Sequence, residues 1–494
     1  MDFLNPKKRR ANKIRLYIGY GLMVILLLLA TTVLLYQAYG YGLGHNGQIY
    51  QNGLLYLSSA PSGAKISLNG QAPKTATNAR LELPAGQYTV KLTLPGYRSW
   101  QRAIGLGGSS VEQFNYPFLF PKQLLPEVLQ RYAAKPGVIT QSPDQRWLLV
   151  EQSGSLTNFT EYDLNNSANL AGNTARLDLP PAVLTASASP KQTMQAIGWS
   201  SDNNYLLMKH AYGASHEYVL FDRANPSDSL NLTTQLQLSQ DSQLSLDNQK
   251  YNEYYVFNAK TSDLDTASLD APTLAPLISH VINFKAYGSD MVLYATALNA
   301  PAKQVNINLL DAGQNYTITS EPASTTYALN MTQYNGDLFV AAGAVIEGRV
   351  YIYKNPVNNL VAQPKQLLVP DYILKLNQPQ TVDFSKNAQF VDAENGSDFA
   401  VFDLKSQKAY SYKLSAAIAS GHGAQWMDGY RLMAVSGGHL LVWDYDDANQ
   451  QTLQPALASS VYFGPSYKYV YNLTPGRHGQ SVDLTQTSLL ATSK

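Results

Sequence analysis

Residues 16–36 read LYIGYGLMVILLLLATTVLLY, 21 residues with no charge. At about 1.5 Å rise per residue such a run spans roughly 30 Å, the thickness of a bilayer's hydrocarbon core. A helix is the one single segment that satisfies its own backbone hydrogen bonds in lipid. The apolar side chains lie on all sides of that helix, which separates it from an amphipathic surface helix and from a core helix with a polar face. Tyr17, Tyr20 and Tyr36 stand toward its ends, where aromatic rings favour the membrane interface. Lys7, Lys8, Arg9, Arg10, Lys13 and Arg15 precede the run, and residues 37–64 contain no Lys or Arg. This asymmetry predicts a cytoplasmic N-terminus and an extracytoplasmic bulk. The competing reading is a cleaved signal peptide. The stretch is longer than the usual h-region of about 7–15 residues and no clean A-x-A site follows, so an uncleaved, single-pass anchor is expected.

At 494 residues the chain is too long for one core, so two or more domains are expected. The six basic residues before the anchor outnumber the whole net charge of +1, so the remainder is slightly acidic. Beside a spanning helix the Lys7–Arg10 cluster is explained by topology and anionic lipid rather than by nucleic acid, and no nucleic-acid partner is expected. Charged residues make up only 14% of the chain, and 34 Tyr with many Thr favour strands. With no cysteine, disulfides, thiolate metal sites and cysteine nucleophiles are excluded.

Residues 37–51 form a Gly- and Tyr-rich stretch expected to be a flexible juxtamembrane tether. Its Gly42-x-Gly44-x-x-Gly47 matches a dinucleotide fingerprint only as a pattern, without the strand before or the helix after. From residue 52 the period becomes two. Leu55 and Leu57, then Ala64, Ile66 and Leu68, alternate, and Asn69-Gly70 is a type I′ hairpin signal. Pro84-Ala85-Gly86 is a turn, after which Tyr88, Val90, Leu92 and Leu94 share a face, and strands are expected over 100–104 and 111–118. The result is a small all-β domain over 52–120.

That segment resembles a PEGA domain. The resemblance is carried by Ser58-x-Ala60-Pro61-Ser62-Gly63-Ala64, Ile66-x-Leu68-Asn69-Gly70, Leu83-Pro84-Ala85-Gly86-x-Tyr88-x-Val90 and Gly96-Tyr97-x-x-Trp100. Ser62 stands where the signature has Glu, and Lys74-Thr75-Ala76 replaces the usual Gly-x-Thr-Pro turn. The resemblance implies a β-sandwich-like module of a bacterial or archaeal surface protein, acting as a non-catalytic spacer or binding unit.

Residues 121–137, bracketed by prolines, are expected to be a linker holding a short helix over 126–134. Beyond it, over 138–494, short apolar strands recur behind similar turns: Ser142-Pro143-Asp144 before Trp147-Leu148-Leu149-Val150, Ser200-Ser201-Asp202 before Tyr205-Leu206-Leu207-Met208, and Gly464-Pro465-Ser466 before Tyr469-Val470-Tyr471. Other strands end in Asp, at Asp222, Asp403 and Asp444, where the carboxylate can accept backbone N–H groups of a tight turn. These are blade signatures. The half resembles WD-repeat-like and TolB-type β-propellers, although Gln145 and Asn203 replace the usual Gly of the turn and the middle, roughly 225–380, fits less well. At about 40–50 residues per blade the length allows seven or eight blades, and seven are expected; two stacked β-sandwiches are the rival.

Chemistry is sparse. There is no Gly-x-Ser-x-Gly elbow and no P-loop. His216-Glu217 starts like a zinc-protease motif, but Leu220 occupies the second His position. The other histidines (45, 210, 280, 422, 439, 478) are scattered, and Asp444-x-Asp446-Asp447 lacks the glycine and terminal Glu of a calcium loop. No catalytic, cofactor-binding or metal residue is therefore assigned, and no cofactor. The expected function is a non-enzymatic, membrane-anchored envelope protein that binds or scaffolds, its partners being the membrane and a cell-wall polysaccharide or envelope protein. A propeller-type glycoside-cleaving enzyme, with carboxylates clustered at the channel mouth, and a TolB-like assembly factor are the alternatives.

Overall fold

A computed structural model of the chain describes residues 6–491 apart from 39, 44–48, 74, 363–367, 419–421, 459 and 477–480. It divides into two units, 1–123 with 491–494, and 124–490.

The first unit begins with a helix, Pro6–Ala38, of which Arg10–Ala38 is long and apolar enough to cross a membrane. Past its end, Gly40 turns the chain at φ 75° and donates its N–H to Gln37 O. The stretch expected to be a flexible tether is instead partly ordered. Tyr41–Leu43 pairs antiparallel with the start of Ile49–Leu57, and Gly42 permits this because a Cβ there would sit 2.7 Å from the Tyr50 ring. Gly44, His45 and Gly47 lie outside the described residues.

Two sheets follow. In one, Ile49–Leu57 lies between Ala79–Pro84, antiparallel, and Val111–Phe114, parallel. In the other, Gly86–Thr93 lies between Lys65–Leu68 and Trp100–Leu106. Leu55, Leu57, Ile66, Val90, Leu92 and Trp100 are buried between them, each large side chain contributing about 1.5–3 kcal/mol. Asn69 and Gly70 both have positive φ, as a type I′ turn requires.

The described residues of the second unit form a β-propeller of eight four-stranded antiparallel sheets: blades 1 to 7 over 139–178, 192–231, 242–278, 281–322, 327–375, 381–413 and 425–455, and blade 8 from 461–488 with 126–132. The count exceeds the expected seven by one. Two physical reasons hid it. Blades 3 to 5 turn on Asn248-Gln249, Gly288 and Asn335-Gly336 rather than on Ser-x-Asp, and blade 8 is split between the two ends of the unit.

The split corrects the linker. Pro126–Tyr132 is a strand, not a helix, and pairs antiparallel with Val482–Ser488. Tyr132 is its one buried residue, so no apolar alternation marks it, and the open edge of the neighbouring strand decides its conformation. Buried clusters join each successive pair from blade 1 to blade 6, and blade 8 to blade 1. Phe390 stacks on Trp426 between blades 6 and 7, and Tyr467 Oη donates to Met427 O between blades 8 and 7. Gln141 Nε2 donates to Phe463 O, 2.8 Å, where the ring closes.

Candidate functional site

First strands of blades 2 and 3, 4 and 5, and 5 and 6 approach one another, which marks the first strand of a blade as the innermost, lining the channel. Asn283 of blade 4 donates to Tyr327 O of blade 5, and Asn330 of blade 5 to Val382 O of blade 6, at 2.7 and 2.9 Å. The exposed residues on these strands include Thr193, Gln195, Gln243, Thr381 and Gln425, with Lys285 and Asp383 as charged members. Bulges at Ile197 and Ile282 push two isoleucines, each a little over a third exposed, out of register.

Three carboxyls gather on blade 6. Asp383 on the innermost strand is the register partner of Asp392 on the second, and Glu394, two residues on, shares the face of Asp392. Asp392 Oδ1 accepts Trp426 Nε1–H at 2.6 Å, Glu394 Oε2 accepts the Ala424 N–H at 2.8 Å, and Asp383 Oδ1 accepts from Asn330 at 3.0 Å. Burial pushes Asp392 well above the usual carboxylate range, and the neighbouring Asp383 adds to this. Burial also lifts Glu394 to about 7 against the Ala424 N–H. Asp383 is raised by the same cause, eased by Lys285 and Asn330. Only Asp383 is reachable from the channel; Asp392 and Glu394 are 3% and 4% exposed.

Other buried acids hold loops. Glu217 Oε1 takes His210 Nδ1 at 2.8 Å and the Thr185 N–H at 2.9 Å, and its Oε2 takes Thr185 Oγ1 and Asn231 Nδ2 at 2.6 and 2.8 Å. Burial opposes its charge, but these bonds outweigh burial and hold it below the usual range. His210 Nε2 faces Gln192 Oε1, whose amide nitrogen already donates to Ser187 O and Ser189 O. Burial, and then the neighbouring Glu347, pushes Glu321 up to about 8.

The residues singled out from the sequence are dispersed. His216 lies 3.3 Å from Ser242 O, apart from the Glu217 network. His439 bonds Gly437 O in a turn, His280 has φ 58°, and His422 is exposed beside a small pocket of blade 7. His45 and His478 lie outside the described residues. Asp444 accepts from Asn449 and Asp447 from Gln450, closing a blade turn. Asp222 and Asp403 accept turn N–H groups as expected, from Asn225 and from Lys405 and Ser406. Among the described residues no group of three His, Cys, Asp or Glu is placed to share a metal. The Asp392 cluster escaped the sequence reading. Its signal is two acids on alternate positions of an apolar strand, Phe390-Val391-Asp392-Ala393-Glu394.

Residues 52–118 match the PEGA domain family. No curated protein matches the chain. Solved structures similar to it include the Dos1 propeller, 14% identical over 75% of this chain and 96% of that one, TM-score 0.44. Another is dihydro-heme d1 dehydrogenase NirN, 13% identical over 65% of this chain and 66% of that one, TM-score 0.41. A third is an oligogalacturonate lyase in complex with manganese, 10% identical over 72% and 98%, TM-score 0.38. The propeller assignment rests on the eight sheets and the pairing that closes them.

Proposed function

We propose that this chain is a membrane-anchored binding protein of the cell envelope, its PEGA domain a spacer and its propeller taking a polysaccharide at the channel mouth. The anchor reading is supported by the apolar helix Arg10–Ala38, and by the six basic residues that precede position 16 against none over 37–64. The observation that carries the ligand reading is the channel lining: Thr193, Gln195, Gln243, Thr381 and Gln425 offer uncharged donors and acceptors, with Ile197 and Ile282 as apolar contacts. Such a mixture suits the hydroxyls and ring faces of a glycan, held by neutral hydrogen bonds rather than by ion pairing.

A glycoside-cleaving reading gains one observation, the clustering of Asp383, Asp392 and Glu394. Two of the three are closed to substrate, which favours binding over cleavage.

The test is co-sedimentation of the full chain in detergent with insoluble cell-wall polysaccharide, at low and high salt. Pelleting that survives high salt and weakens in Gln195→Ala/Gln425→Ala is expected. A chain that stays in the supernatant at both salt levels removes the glycan reading and leaves an envelope protein as partner.

A further inference from the structure

Within the first unit, the end of the long helix and the outer face of the PEGA sheet enclose a cavity of about 270 Å³, near the lower end of the ~300–1,000 Å³ range of small-ligand sites. Gln37 and Ala38, the last residues of that helix, form one wall. If the helix is the anchor, the cavity lies at the depth of lipid headgroups.

The chemistry of the walls is specific. Leu54 opposes Glu82 and Tyr56 opposes Arg80 in the register of the two strands. Leu55 and Leu57 fill the core, so Arg80 and Glu82 project from the opposite face, about 7 Å apart along one strand. Both line the cavity and are exposed. Arg80 has no ion pair among the described residues. Glu82 Oε1 accepts Asn52 Nδ2 at 2.9 Å, which turns Asn52 Oδ1 away, and that oxygen is shut off without a hydrogen-bond partner. The pocket thus offers one cation and, a few ångströms off, a carboxylate. Val111, 59% exposed, adds an apolar contact.

The frame is fixed by the backbone. Asn52 N–H donates to Gly40 O at 2.7 Å, Ser109 N–H to Asn52 O at 2.8 Å and Leu54 N–H to Ser110 O at 2.8 Å. Gly53 permits the close packing of the 107–110 turn, since a Cβ there would meet Gly107 O at 2.4 Å.

We propose that this cavity binds the headgroup of a zwitterionic phospholipid of the phosphatidylethanolamine type. Arg80 takes the phosphate; Glu82 takes the ammonium. The proposal rests on the reading of the helix as an anchor. A primary ammonium has N–H donors for the Glu82 carboxylate, a quaternary choline has none, and a glycerol headgroup leaves Glu82 without its cation.

Native mass spectrometry of the detergent-solubilised full chain tests this with phosphatidylethanolamine, phosphatidylcholine and phosphatidylglycerol added in turn. Phosphatidylethanolamine is expected to be retained about tenfold better than the other two. Arg80→Ala and Glu82→Gln, both at exposed positions, should each reduce it to their level while leaving the thermal transition unchanged. Equal retention of the three lipids, or equal retention of phosphatidylethanolamine by wild type and Arg80→Ala, overturns the proposal. Free O-phosphoethanolamine is the second arm: weak competition supports the lipid, and binding as tight as the lipid's overturns it in favour of a soluble zwitterion. Binding in detergent does not depend on membrane orientation, so a negative result here and a failure of the anchor reading are separable.

Discussion

Asp392 sits in an apolar strand with its carboxyl against the Trp426 indole N–H, and burial, which disfavours the charged form, pushes it well above the usual carboxylate range. The neutral form that this direction favours is an isostere of an amide. Asp392→Asn should therefore change stability by less than about 1 kcal/mol, because the carboxamide oxygen still accepts from Trp426. Asp392→Ala strands the indole N–H and should cost about 1–3 kcal/mol; thermal denaturation of the two variants at neutral pH separates them, and equal losses would count against a protonated Asp392. Glu321 supplies the pH dependence. Its folded pKa, about 8, lies above the ordinary 4.5, so the native state holds a proton that the unfolded chain has released between these values. Stability must then fall as pH rises from about 4.5 to 8, and Glu394, raised to about 7, contributes in the same direction over a narrower window. Glu321→Gln is expected to flatten the decline, measured as the difference in Tm between pH 5 and pH 8. The turn residues were legible at this scale. Ser142, Ser200 and Ser385 each accept, through Oγ, the N–H that opens the next strand, at 2.9, 2.9 and 3.0 Å. Ser385 escaped notice because Asn387 and Ala388 replace the Asp and Gly that mark the turn, although Ala388 keeps the positive φ, 58°.

At the scale of elements, strands with an apolar face were legible and strands defined by a partner were not. Trp147–Glu151 and Tyr205–Tyr212 announce themselves because buried residues run through them. Pro126–Tyr132 does not, since six of its seven residues are not buried and its ladder partner lies some 350 positions away. The pairing makes a sharp prediction about where the propeller begins. A fragment of residues 124–490 should fold as a monomer. One of 138–490 loses the strand, the burial of Tyr132, by itself worth about 2 kcal/mol, and exposes the backbone of Val482–Ser488 as an unpaired edge. Size-exclusion chromatography and thermal melting of the two fragments check this; equal Tm and equal monomer content would mean that the closing strand is dispensable. The Asp392 cluster was hidden for a related reason. Its members are brought together by cross-strand register and by Trp426 of the next blade, neither of which spacing within one strand reveals.

For the whole molecule, the order of apolar helix, PEGA domain and propeller follows from shifts of period along the chain, from unbroken apolar to alternating to repeated. Those shifts are local and can be read along one chain, whereas a ligand is recognised by side chains drawn from different blades. Orientation is the property of the whole that charge alone is asked to decide. Six basic residues precede the apolar run and none lies in residues 37–64, so inverting the chain would carry the cluster across the membrane while leaving nothing basic to hold the other side. The absence of cysteine makes this directly measurable, because any introduced thiol is unique. Ala271→Cys on the propeller and Asn12→Cys before the apolar run are both at exposed positions. In intact spheroplasts a membrane-impermeant maleimide should label Ala271→Cys at once and Asn12→Cys only after lysis. The reverse pattern would place the propeller inside the cell and remove wall polysaccharide from its reach. Labelling of Ala271→Cys on protein that has left the membrane fraction would instead identify the helix as a cleaved signal.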